Sequence, residues 1–132
     1  MNEAHLRRAI ALAVEARAGG NPPFGSLLVG PDGVVLAEER NSSLTDDDIT
    51  AHPELKLARW AARSLDATTA AGTTMYTSCE PCEMCAGALA RSGIGRVVFA
   101  LPAARPSRFV QVPADGPYLQ DEARVPVEGY YK

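Results

Sequence analysis

All three cysteines of the chain fall within Cys79-Glu80-Pro81-Cys82-Glu83-Met84-Cys85, and clustering of that kind asks for a chemical reason. A strand-like run from Thr74 to Thr77 leads in and an alanine-rich helical run from Pro81 to Arg91 leads out, so the cysteines sit at a strand-to-helix junction. Pro81 suits a first helical turn. On such a helix Cys82 and Cys85 are three residues apart and share a face, so both sulfurs can reach one metal ion. The helix start would favour their thiolate form. Two thiolates do not complete a zinc shell, and the chain offers two histidines, His5 and His52. His5 has no acidic or cysteine partner at ligand spacing and reads as an exposed helix residue. His52 opens His52-Pro53-Glu54, where a proline again marks a helix start and turns a histidine and a glutamate toward it. One histidine and two cysteines make three protein ligands. A structural zinc site has four, whereas three leave a position for water, the arrangement that catalysis needs. The Cys-x-x-Cys spacing is also that of a redox dithiol, and Cys79 with Cys82 makes a second pair. Spacing alone therefore leaves catalytic zinc, structural zinc and redox chemistry open, and the His-x-Glu favours the first. Cys79, ahead of the helix, reads as a small buried residue beside the site rather than a ligand.

His52-Pro53-Glu54 followed by Pro81-Cys82-Glu83-Met84-Cys85 is an H-x-E and P-C-x-x-C pair, and on those residues the chain resembles the cytidine deaminase superfamily. The likeness runs on through Asn21-Pro22-Pro23-Phe24-Gly25, Asn41 and Thr50-Ala51, roughly from Ala4 to Ala100, with a looser echo from Arg124 to Gly129. The resemblance implies a zinc ion on His52, Cys82 and Cys85 that lowers the pKa of its water toward ~7. Glu54, too close in sequence to His52 to bind the ion in the same way, is implied as the proton shuttle. It would move protons from water to a ring nitrogen and on to the leaving amine while a carbonyl replaces an amino group. Asn41 is implied as a hydrogen-bonding contact to the substrate, Phe24 as the wall against which the planar base lies, and Tyr131 as part of a C-terminal segment that closes the pocket. Each also reads as ordinary structure: a loop cap for Asn41, core packing for Phe24, and packing on the core edge for Tyr130 and Tyr131.

The implied substrate is a free nucleobase or nucleoside of the cytosine or guanine kind. Thr50-Ala51-His52 is also similar to enzymes that convert adenosine to inosine in tRNA, and a zinc-stabilised protein without catalysis is the remaining alternative. In the family, the tRNA enzymes carry a helix after the last strand, and here four residues follow Glu128. That difference favours the small substrate.

The elements that must position these residues follow from periodicity. Leu6, Ile10, Ala13 and Val14 recur at helical spacing opposite Arg7, Arg8 and Glu15, predicting an amphipathic helix from Glu3 to Ala18 that Gly19-Gly20 stops. Two apolar runs, Ser26 to Val29 and Val34 to Glu38, flank Gly30-Pro31-Asp32-Gly33 and predict an antiparallel hairpin. Asn41 to Thr50 is a polar loop whose Asp46-Asp47-Asp48 reads as a solvated run ahead of a helix. In the helix opened by Pro53, Glu54 shares a face with Leu57, Ala58, Ala61 and Leu65. Lys56, Arg59 and Arg63 lie opposite, so the glutamate faces the core and the basic residues face solvent. Gly93 ends the cysteine helix, and Arg96 to Ala100 predicts a buried strand parallel to the one before it. Phe109 to Val112 reads as strand or loop, and Arg124 to Glu128 as a last strand held at an edge by Pro126. This order predicts an α/β/α three-layer sandwich on a mixed sheet, five-stranded by resemblance.

A length of 132 residues suits one domain, 1–132. Hydrophobic residues at 46% and charged ones at 22% are the values of a soluble globular chain. No run approaches the ~20 apolar residues of a membrane span, and Met1 to His5 lacks an apolar signal core. A cytoplasmic protein with no membrane partner is expected, and its cysteines then read as ligands rather than disulfides. The formal net charge of -3 argues against a nucleic-acid partner, whose phosphates reward basic surface. Lysine occurs only at Lys56 and Lys132, a bias without a functional reading. With Cys82 and Cys85 turned to the metal, Met84, Gly87, Ala88 and Arg91 form another face that a second subunit can approach closely. That face and the resemblance predict a homodimer.

Overall fold

The computed structural model describes residues 1–103 and 117–130. Helix α1 (Glu3–Ala18) opens where the Asn2 side chain accepts the Ala4 N–H, with Glu3 in its first turn and Arg17 in its last, each sign matching the helix dipole. Its buried side is Ala9, Leu12, Ala13 and Ala16 with Leu6 partly buried beside them, so of the expected stripe Leu6 and Ala13 face the core and Ile10 and Val14 do not. Ile10 is 46% and Val14 65% exposed. The reason is spacing. Helix α1 lies against the sheet at Gly25, where a methyl group would stand 2.6 Å from the Ala9 carbonyl oxygen and 2.7 Å from the Ala13 nitrogen. An alanine-lined face permits that approach, and the larger side chains are turned to the flank. His5 is half-buried rather than exposed, its ring 5.1 Å from that of Tyr76.

Strands β1 (Gly25–Val29) and β2 (Val35–Arg40) form the expected antiparallel hairpin, with Gly33 at a φ of 84° in its turn. Strand β3 (Thr74–Cys79) pairs antiparallel with the other side of β1, and β4 (Arg96–Leu101) runs parallel to β3, giving the order β2-β1-β3-β4. Side-chain alternation divides the core in two. Leu27, Val29 and Tyr76 pack with Ala9 and Leu12 beneath α1. On the other face Leu28 and Met75 pack with Leu57, Ala58, Ala61 and Leu89, which come from α2 (Pro53–Ser64) and α4 (Glu83–Ser92). The fold is thus the expected three-layer sandwich on a mixed sheet. A five-residue helix, α3 (Ala67–Ala71), joins α2 to β3 and is capped by the Asp66 side chain on the Thr69 N–H. It is too short to leave a periodic signal.

Among the described residues the sheet has four strands. The segment read as a last strand, Arg124 to Glu128, instead ends a short helix, α5 (Gln120–Arg124), and enters the turns after it. Its backbone bonds are local: the Ala123 N–H donates to the Leu119 carbonyl and the Glu128 N–H to that of Arg124, both at 2.9 Å. Gln120 to Arg124 are mostly good helix formers, Arg124 pairs with Asp121 one turn back, and Pro126 lacks a donor that a strand would use. Phe109 to Val112 lie outside the described residues. No helix among the described residues is long and apolar enough to cross a membrane.

Gly25→Ala should force α1 away from β1 and lower the unfolding free energy by about 1–3 kcal/mol. Urea unfolding curves read this directly, and an unchanged midpoint would mean that the helix-to-sheet spacing is not set at Gly25.

Candidate metal centre

Helices α2 and α4 converge at their starts. His52 is the N-cap of α2 and Cys82 the N-cap of α4, both with extended backbone, and neither side chain spends its polar atoms on capping. Pro53 fills the first helical position, where its missing N–H costs nothing. Pro81 stands just before the cap of α4, so that helix begins two residues later than expected and Cys82 lies at its threshold rather than inside it. The Cys82 and Cys85 sulfurs are 3.7 and 3.5 Å from His52 Nδ1, and the three donor atoms lie within 4.8 Å of one another. Tetrahedral bonds of ~2.0 Å to nitrogen and ~2.3 Å to sulfur separate such donors by about 3.5 Å, so the set fits a zinc-sized ion. Cys79, half-buried at the end of β3, is outside the set.

The electrostatics of the cluster follow from burial. Burial lowers the His52 imidazole below its ordinary range and keeps it neutral, as a ligand must be. Burial, then the charge of Glu54, then that of Cys82 push the Cys85 thiol far above the ordinary range. This reverses the expectation that the helix start alone favours thiolate. At Cys85 desolvation outweighs the dipole, and a divalent cation is what would make this sulfur anionic. Glu54, in the first turn of α2, is 7% exposed. Burial raises its carboxyl above the usual range, with its own backbone N–H and the Cys85 thiol pulling the other way.

Several unexpected residues hold the frame. The buried Ser26 hydroxyl donates to Thr77 Oγ1 at 2.7 Å, and Thr77 donates to the Cys79 carbonyl at 3.2 Å, which fixes the strand end leading to the cysteines. The Glu80 N–H donates to the Leu101 carbonyl at 2.8 Å and its carboxylate accepts the Ala103 N–H at 3.0 Å, tying the same turn to β4. Their signal in sequence is slight, since serine, threonine and glutamate at strand ends are common.

Asn41 follows β2 and is 2% exposed. Its N–H donates to the Phe24 carbonyl at 2.9 Å, and the Ser42 N–H donates at 3.1 Å to Ala51, the residue before His52. The loop carrying Asn41 is thereby joined to the start of α2. Asn41 Oδ1 accepts the Ser43 N–H at 2.9 Å and the Ser43 hydroxyl at 2.8 Å. Lys56, expected to face solvent, instead donates to the Arg40 carbonyl at 2.8 Å and the Ser42 hydroxyl at 2.9 Å, with a Glu39 carboxylate oxygen at 3.3 Å. Asp46 accepts the Ser42 hydroxyl, and Asp48 accepts both the N–H and the hydroxyl of Thr50, so these acids close turns within the loop.

Phe24 is half-buried and lines a solvent-open apolar cleft of 370 Å³ with Ile10, Ala13, Pro23, Cys79 and Leu101. His52, Glu54, Cys82 and Cys85 are not among its walls. Tyr131 lies outside the described residues, and Tyr130 is 76% exposed.

Residues 1–101 match the family model of the cytidine and deoxycytidylate deaminase zinc-binding region. The chain belongs to the cytidine and deoxycytidylate deaminase family. Within this deaminase family it is similar to the guanine deaminase of Bacillus subtilis, 44% identical over 89 residues that make up 67% of this chain and 56% of the relative. The solved structure of guanine deaminase from that organism superposes with a TM-score of 0.81 at 32% identity, covering 98% of this chain and 94% of the other. A probable cytosine deaminase of Schizosaccharomyces pombe is 31% identical over 97% of this chain and 91% of its own length. A tRNA-specific adenosine deaminase of Haemophilus influenzae is 38% identical over 74% of this chain and 57% of its own. By sequence alignment the chain spans little more than half the length of the first and last of these relatives.

His52→Ala, Cys82→Ala and Cys85→Ala should each lose bound zinc, whereas Cys79→Ala should keep about one ion per chain. Elemental analysis of freshly purified protein checks this, and loss of metal from the Cys79 variant would move the site to the other dithiol.

Proposed function

We propose that this chain, as a single domain over 1–132, is a zinc-dependent hydrolase of the cytoplasm that releases ammonia from a free nucleobase or nucleoside, guanine being the first candidate base and cytosine the second. The observation that carries the reading is the meeting of three metal donors, His52, Cys82 and Cys85, with the buried carboxyl of Glu54 where the starts of α2 and α4 converge. Zinc held by those three would supply Lewis-acid activation of water. Glu54 takes a proton from the attacking water and delivers it to a ring nitrogen, then takes the remaining proton from the newly added hydroxyl and passes it to the departing amine. The water oxygen bonds to the amino-bearing carbon, the carbon–nitrogen bond breaks, ammonia leaves and a carbonyl remains. A buried carboxyl that holds its proton more tightly than usual is suited to giving and taking it in turn. In this reading Asn41 donates a hydrogen bond to the base, Phe24 bounds the approach to the ring, and Tyr131 belongs to a closing segment.

A small substrate is supported by the reach of the likenesses. In superposition the guanine deaminase structure covers 98% of the chain and a structure from work on tRNA A-to-I deaminases 76%, while by sequence the cytosine deaminase covers 97%, the tRNA enzyme 74% and the guanine deaminase 67%. The net charge of -3 supports it as well. The earlier contrast based on a last strand does not, because α5 and its turns occupy that segment. The assembly we infer is a homodimer. Met84 is 38% exposed on α4, although Ala88 packs on the chain's own core and Arg91 folds back onto the Gly87 carbonyl at 2.9 Å, leaving a smaller face than expected.

Ammonia release should be measured from guanine, cytosine, adenine and their nucleosides, with tRNA alongside. Turnover of guanine or cytosine supports the reading. Activity on tRNA adenosine alone, or on none of these, overturns it. Glu54→Gln should keep zinc and lose roughly 10²- to 10⁴-fold in turnover. Sedimentation at micromolar concentration should give twice the chain mass, and a monomer there rules out the assembly.

A further inference from the structure

Lys56 has no part in the chemistry just described, yet it is among the most constrained cations of the molecule. Its side chain is 17% exposed, and its ammonium, beside a Glu39 carboxylate oxygen at 3.3 Å, makes hydrogen bonds to the Arg40 carbonyl and the Ser42 hydroxyl, the two residues on either side of Asn41. Lys56 belongs to α2, the helix whose start carries His52 and Glu54. One side chain therefore brackets Asn41 and ties it to the same rigid element that carries a metal donor and the buried carboxyl. Charge-assisted bonds to a carbonyl and a hydroxyl are stronger than neutral ones, and in so sheltered a position they are little weakened by solvent.

The orientation of Asn41 is fixed as well as its location. A backbone N–H can only donate, so the atom facing Ser43 N must be the amide oxygen, and the Ser43 hydroxyl adds a second bond to that oxygen. The amide nitrogen makes no hydrogen bond to any described residue. Among the described residues no buried side-chain nitrogen or oxygen lacks a partner, so this nitrogen is the part of Asn41 still accessible. Asn41 thus presents donors and no free amide acceptor toward whatever approaches.

We infer that Lys56 is a positioning residue for substrate binding: it clamps both neighbours of Asn41 to α2, so that a preset N–H donor meets a hydrogen-bond acceptor on the edge of the base. The inference rests on the proposed role of Asn41 in binding the base. Its energetic logic is preorganisation. A donor held in place before the base arrives does not have to be ordered when it binds, so loss of the clamp weakens binding more than chemistry.

The test uses the zinc-loaded full chain and whichever of guanine or cytosine the parent deaminates faster. Lys56→Met keeps the aliphatic stem and removes the ammonium. It should raise KM by about tenfold or more, with kcat within about threefold of the parent. Zinc content should be unchanged. Lys56→Arg, which keeps a charged donor, should recover part of the lost affinity. In an Asn41→Ala background, Lys56→Met should change KM by less than about threefold, because the clamp then has no amide to aim. A parent that turns over neither base overturns the functional reading and this inference with it. An active parent alongside a Lys56→Met variant of unchanged KM overturns the inference alone. So does a fall in kcat, zinc content and melting temperature together at constant KM, since that is the signature of a merely structural lysine.

Discussion

Two helix starts meeting at one point is the constraint around which this molecule is arranged. Each carries unsatisfied N–H groups and a partial positive charge, so their convergence is unfavourable unless negative charge or a lone pair sits between them. The chain supplies sulfur from Cys82 and Cys85, imidazole nitrogen from His52 and the carboxyl of Glu54, all of it at the starts of α2 and α4. The small residues of α2 and the single large Leu89 of α4 bring those helices together over Leu28 and Met75, and burial of the cluster follows from that packing. Burial in turn raises the proton affinity of Cys85 and Glu54, and a cation among the donors would offset the cost of their charge. Packing, ligand geometry and proton affinity are here consequences of one arrangement.

The frame is stiffened in two ways. On the α1 side of the sheet the helix is drawn in by alanine against Gly25 until backbone meets backbone, which leaves little room for movement. The loop after β2 is stiffened by short polar bonds: Asn21 accepts the N–H groups of Leu44 and Thr45 at 3.1 Å, and Asp46, Asp48 and Asn41 each accept from serine or threonine. A loop with so many internal partners behaves as part of the scaffold, despite lacking regular structure.

The sequence revealed what repeats or what has few alternatives. Three cysteines and one well-placed histidine leave little choice of cluster, and the hairpin, the parallel pairing of β3 with β4 and the helical face of Glu54 all follow from period and turn chemistry. Other features were hidden for physical reasons. The anchoring of Lys56 is invisible to helical periodicity because its partners, a backbone carbonyl, a hydroxyl and a carboxylate, lie fourteen or more residues back in the chain. The buried face of α1 is not legible in its own spacing because the side-chain volume available is set by Gly25 on another element. Val125 and Val127 alternate like a strand, but neighbouring helix formers and local bonds prevail in that segment. The half-burial of His5 leaves no local signal because its partner, Tyr76, belongs to β3, seventy-one positions on in the sheet beneath α1.

His52 and Cys82 are thirty positions apart in the chain, and the stretch between them holds all of α2, α3 and β3. An ion held by these residues would therefore act as a cross-link as well as a reagent. It would close a ring in the unfolded chain, and by loop-closure entropy a ring of this size removes about 3–4 kcal/mol of conformational freedom from the denatured ensemble. Because the ring contains β3, the strand that joins the hairpin to β4, the ion would bind the halves of the sheet into one cooperative unit. The residues that select the reaction would then also set how long the native state survives between openings.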